Sequence, residues 1–133
     1  MARMTKAERA AIADWVQYHR CCAVCWWPES DGRRQLEVHH LQGGAGRRHD
    51  VRNYLRLCGR CHDVLHDGLV AGNFPPLYKS TLLWAKEQSD PENYDPEYLA
   101  SLRMKRHLGY EPEPPDEWYL NEREINLTRA RKP

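Results

Sequence analysis

Cys22-Ala-Val-Cys25 and Cys58-Gly-Arg-Cys61 are two C-x2-C pairs, a spacing at which one tight turn can bring both thiolates to a single ion. Two such turns complete the tetrahedral sulfur shell of a structural zinc site, leaving no position for substrate or water. Zinc is therefore expected as a staple, contributing on the order of 10 kcal/mol to folding. Buried reduced thiols or a disulfide are the plainer alternatives. Cys58-Gly-Arg-Cys61-His62 also has the form of a c-type haem attachment motif, but haem there would leave Cys22 and Cys25 without a purpose. Cys21 is left over, with no function assigned.

Zinc accounts for the cysteines and leaves the histidines. Four of the seven are His39, His40, His62 and His66. His62 and His66 are four apart on an expected helix, so both rings can lie on one face and reach one ion. His39 and His40 close an expected strand, where neighbours point to opposite faces. They can share a site only if the strand ends there, which the glycines that follow at 43, 44 and 46 suggest. His19 and His107 read as packing or surface residues, and His49 as a surface residue.

The chain around these motifs has 133 residues, 41% of them hydrophobic, 29% charged and one of them Phe. That supports one modest core, for which a staple is useful. The formal net charge of +1 hides an uneven distribution: Lys and Arg outnumber Asp and Glu before residue 70, and the reverse holds after it. Arg33, Arg34, Arg47, Arg48, Arg52, Arg56 and Arg60 surround the Cys/His motifs. A guanidinium offers phosphate a planar fork of donors; a solvated charged surface is the plainer reading. The polar start and the short Ala10–Ala13 run resemble no secretion signal, and no stretch approaches the roughly 20 apolar residues of a membrane span. The expectation is a soluble, cytoplasmic protein with reduced cysteines.

The elements that must position these residues follow from periodicity. Thr5-x-x-Glu8 has capping-box form ahead of Ile12, Trp15, Val16 and His19, predicting a helix over about 5–19. Gln35–His39 alternates as a short strand, 51–57 reads as an extended return, and Cys61–His66 as a helix closed by Gly68. Leu77–Gln88 is expected to be helical, with Leu83 and Trp84 facing the core. Asp90-Pro91 and Asp95-Pro96 read as helix starts. Glu111–Pro115 reads as a stiff linker and 116–127 as a last short helix. The domain division is 1–110, with its core at 21–68, and a Pro/Glu-rich linker and tail at 111–133.

Leu36-Glu-Val-His-His40, Gly43-Gly44, Asp50-x-x-Asn53 and Leu57-Cys-Gly-Arg-Cys-His62 with His66, in this order, resemble the HNH endonuclease family, over about residues 20–68. The resemblance implies an α+β fold. Its centre is a small ββα-metal (His-Me finger) core with a four-cysteine zinc site, flanked by an N-terminal helix and C-terminal helices. By position it implies that His39, His62 and, as in colicin-type nucleases, His66 hold a catalytic divalent metal. It makes His40 the general base and Asn53 the residue that ties the loop to the strand and orients that base. The implied ion is Mg or Mn; many family members have Asp where His39 stands, and imidazole shifts preference towards softer ions such as Mn, Ni or Zn.

The implied activity is hydrolysis of DNA phosphodiester bonds, giving 5′-phosphate and 3′-hydroxyl ends. One metal is expected, since no second carboxylate cluster is evident in the sequence. Arg47, Arg48 and Arg52, in or beside the loop between the strands, are expected to contact the backbone of duplex DNA, which positions without reading sequence. Trp26 and Trp27 should pack beside the zinc, with base stacking the alternative. The competing reading is a non-catalytic zinc module binding nucleic acid or protein, which needs only the cysteines. A homodimer or a phage or recombination partner fits the family's small members, found in phages and mobile elements.

Overall fold

The computed structural model describes residues 4–43, 49–67, 74–102 and 111–131. Helix α1 (Lys6–Gln17) starts at the predicted capping box: Thr5 accepts from the Glu8 N–H at 3.0 Å, and Glu8 accepts from the Thr5 N–H at 2.7 Å. Strands β1 (Leu36–His40) and β2 (Tyr54–Cys58) pair antiparallel, with His39 opposite Leu55 and His40 opposite Tyr54. Helix α2 (Gly59–Asp67) follows β2 directly. Then come α3 (Lys79–Ser89), α4 (Pro96–Ser101) and α5 (Glu117–Arg131). The fold is thus α+β: a two-stranded sheet flanked by helices, with a cysteine cluster beside it, consistent with the ββα-metal arrangement.

A two-stranded hairpin is at best marginally stable alone, so this sheet depends on what covers it. All five residues of β2 are buried, whereas β1 is partly exposed. The core joins Leu55 and Leu57 to the cysteines, Val64 of α2, Leu82 and Leu83 of α3, Leu99 of α4 and Tyr119 of α5. The Ala23 N–H donates to the Arg56 carbonyl at 2.8 Å, fastening the first Cys turn to β2. Arg56 is only 4% exposed. It donates to the carbonyls of Val16 and His19 and pairs with Glu29 at 2.7 Å, so it joins α1 to the sheet and is unavailable to phosphate.

Two local readings change. The return segment is not extended from residue 51: Val51–Asn53 is a 3-10 turn, capped by the Asp50 carboxylate on the Arg52 N–H at 2.9 Å, and β2 begins at Tyr54. Asp95 does cap α4, accepting from the Tyr98 N–H. Asp90 precedes only a three-residue 3-10 turn, makes no side-chain cap there, and instead is the centre of a buried polar network. No helix among the described residues is long and apolar enough to cross a membrane. Gly44, Arg47, Arg48, Gly68 and His107 lie outside the described residues.

Candidate metal centres

Each Cys pair sits where backbone geometry forces the sulfurs together. The Trp26 N–H donates to the Cys22 carbonyl and the Cys22 N–H to the Trp27 carbonyl, closing a turn that leaves Trp26 at φ 61°. That left-handed backbone is uncommon for a bulky residue; the Arg123 guanidinium lies over its indole, 4.1 Å from the ring centroid. The second pair straddles the junction of β2 and α2, where the Cys61 N–H points at Cys58 Sγ, 3.5 Å away.

All four sulfurs are buried and lie within 4.8 Å of one another. Cys25 and Cys58 Sγ are 3.7 Å apart. A tetrahedron with metal–sulfur bonds of about 2.3 Å has edges of about 3.8 Å, so the spacing fits zinc. Thiols this crowded cannot all ionise by themselves. Hydrogen bonds with Cys22, Cys25 and Cys61 drive Cys58 far below the ordinary thiol range, while those with Cys22 and Cys58 drive Cys25 up and those with Cys22, Cys25 and Cys58 drive Cys61 up. A dication at the centre is what allows four thiolates to coexist.

The second cluster is His39, His62 and His66, whose ligand nitrogens also lie within 4.8 Å of one another. The rings meet edge to face: His62 and His66 centroids are 4.5 Å apart, and His39 is 5.5 Å from His62 and 5.9 Å from His66. Burial, then the neighbouring charges of His62, His66, His40 and Lys79, push His39 down to about 4. It is therefore neutral near pH 7, the form that donates a lone pair to a metal. Glu37, which the motifs did not single out, has Oε2 3.3 Å from His62 Nδ1. The available signal was its place two residues before His39, on the same face of β1.

His40 occupies the last position of β1, and its ring joins different company from that of His39. It stands edge-on to Tyr54 at 4.9 Å and to His49 at 6.1 Å, and His49 Nδ1 is 3.0 Å from the Tyr54 hydroxyl. Asn53 is fully buried. Its Oδ1 accepts from the Gln42 N–H at 2.8 Å, its Nδ2 donates to the Gln42 carbonyl at 3.1 Å, and its carbonyl accepts from the Leu41 N–H. The 3-10 turn before β2 is thereby bonded to the chain leaving β1.

The arginines are more committed than their clustering suggested. Arg52 pairs with Asp50 at 3.0 Å and Asp95 at 3.3 Å and lies over Tyr98; Arg33 pairs with Asp31. Arg60 pairs with Glu122. Trp27 is buried beside the cysteines, with Arg34 over its ring at 3.9 Å.

The family model described as HNH endonuclease matches residues 22–68, roughly a third of the chain. No curated protein and no solved structure matches the chain. The family match begins at the first zinc-type cysteine and runs through both strands and α2 to just past the last clustered histidine. Residues 22–68 thus match the HNH endonuclease family, and within them Cys22, Cys25, Cys58 and Cys61 are positioned to form a zinc site.

Proposed function

We propose that the protein is a metal-dependent endonuclease that hydrolyses DNA phosphodiester bonds, with zinc structural at the four cysteines and one catalytic divalent ion at the histidines. The observation that carries this reading is the convergence of His39, His62 and His66, since a module stabilised by zinc alone has no need of a second donor set.

A phosphodiester is anionic, so its hydrolysis needs a deprotonated nucleophile and compensation for charge on the departing oxygen. His40 takes the proton from the attacking water, a transfer suited to an imidazole near pH 7. The new bond from water oxygen to phosphorus forms as the bond to the 3′ oxygen breaks, and that oxygen takes a proton from solvent, leaving 5′-phosphate and 3′-hydroxyl ends. His39, His62 and His66 would hold a divalent ion, which would supply positive charge to offset the negative charge that develops in the transition state. Glu37 orients His62, and Asn53 fixes the chain on either side of the loop. Arg52, with Arg47 and Arg48 beyond the described residues, contacts the duplex backbone. The all-imidazole donor set favours Mn, Ni or Zn over Mg, which binds oxygen ligands by preference.

The test is plasmid nicking by zinc-loaded protein with added Mg, Mn or Ni, beside His40→Ala. The expected result is cleavage by the wild type, loss of at least about 100-fold in the variant, and about one zinc per chain in both. Undiminished cleavage by His40→Ala would remove the assigned base. Wild-type protein that binds zinc but cuts with no metal would favour the non-catalytic module.

A further inference from the structure

The four-cysteine position has a second layer drawn from separate stretches of chain. Arg34 Nη1 donates to Cys25 Sγ at 3.8 Å, and Arg60 Nη2 donates to Cys61 Sγ at 3.7 Å. Both guanidiniums meet one carboxylate, Glu122 on α5. Arg60 engages both of its oxygens, with Nη1 2.6 Å from Oε2, and Arg34 Nη2 stands 3.7 Å from Oε2. From the same helix, Arg123 Nη1 donates to the carbonyls of Ala23 and Val24, and Asn126 Nδ2 to that of Cys25 at 2.7 Å. The first Cys turn is thus gripped at its backbone by the helix that anchors the two arginines at the sulfurs.

The reason for such a layer is charge. A dication with four thiolates carries two net negative charges in a buried pocket, and buried charge is costly unless compensated by charge and hydrogen bonds. Arg34 and Arg60 supply two positive charges directly on the sulfurs, and Arg123 adds a third close to Cys22 and Cys25. Outer partners of this kind orient ligands and tune how tightly the metal is held.

We propose that Arg34 and Arg60, anchored by Glu122, form the outer layer of the zinc site, so that α5, although beyond residues 22–68, governs how long zinc is retained. The proposal rests on zinc occupying the four cysteines and is independent of nuclease activity. Zinc-loaded full-length protein is challenged with excess EDTA, and separately with N-ethylmaleimide, and zinc release is followed with a chromogenic indicator. R34Q/R60Q is expected to release zinc on the order of 10-fold faster than wild type, and E122Q to accelerate release as well. R33Q, which removes an arginine paired with Asp31, is expected to match wild type. Wild-type release rates in R34Q/R60Q overturn the proposal. If the double variant does not fold, R34Q alone carries the test, because Arg34 is the more exposed of the two at 24% against 13%; an unchanged rate there overturns it equally. A wild-type preparation that holds no zinc overturns it at its premise.

Discussion

Glu37 Oε2 lies 3.3 Å from His62 Nδ1, and a carboxylate in that place orients a metal-binding imidazole by holding the ring nitrogen that the metal does not use. Glu37→Gln should therefore weaken metal at the histidine cluster by about 10-fold or more, without loss of zinc from the cysteines. Calorimetric titration of Mn or Ni into zinc-loaded protein checks this; equal affinity in the variant would show that Glu37 does not orient the ring. The arginines show the converse. Their types and density promised phosphate contacts, yet Arg56 and Arg60 are enclosed by partners from α1, α5 and the turn around Glu29. Residue type specifies the fork, and only the neighbours decide what enters it.

Among the elements, α3 has the least obvious role in the site. Lys86, with no exposed side-chain surface, donates to the Val51 carbonyl at 2.8 Å, the Tyr54 carbonyl at 2.7 Å and Asp90 Oδ2 at 2.6 Å. It thus pins both ends of the turn that carries Asn53. In sequence, Asp90 reads as a helix start; burial against Lys86 makes the two a latch. Lys86→Met removes the buried ammonium from Asp90 and from the Val51 and Tyr54 carbonyls and should cost about 3 kcal/mol, measured by urea unfolding; an unshifted midpoint would refute the latch.

The same network has a pH signature. Burial opposes a charge on His19, but hydrogen bonds to the Asp90 carboxylate and the Trp15 carbonyl, with Asp90's charge, outweigh it, so His19 is raised above its ordinary 6.5. Lys86, facing the same carboxylate, acts in the opposite direction. A raised folded value means the stabilisation is fully present below about pH 6.5 and is lost as pH rises through that folded value. The melting-temperature gap between wild type and His19→Gln should therefore narrow from pH 6 to pH 8. A gap that widens would reverse the sign. Asp90, held well below the ordinary carboxylate range against its burial by His19, Lys86 and Trp15, contributes stability that is lost only in strong acid.

For the molecule as a whole, two strands and short helices meet at four sulfurs, so zinc bound there would form one cooperative unit with the core. Removing zinc should abolish the unfolding transition, because the roughly 10 kcal/mol that such a metal supplies is comparable to the whole stability of a small domain. Calorimetry after chelation checks this, and a normal melt without zinc would show that the apolar core suffices. Residues 111–133 read as linker and tail; within them α5 buries Tyr119, Arg123 and Asn126 against the first Cys turn and its surroundings. The partners of Arg123 and Asn126 lie about a hundred positions away, and no local pattern announces a contact of that range.

Spacing along the chain was enough to specify the two cysteine pairs, the His62/His66 face, the Thr5 capping box, the Asp95 cap and the strand-loop-strand-helix order. Each arises within a few residues, where turn geometry and helical periodicity act directly. Which groups those elements would meet was left to the folded chain. Folding brought Glu37 to His62, Glu122 to Arg34 and Arg60, Lys86 to the turn before β2, and separated the His40 ring from that of His39 by carrying β1 through residue 40. Burial and charge compensation act through space, and a polar side chain's partner is settled only when the chain has folded around it.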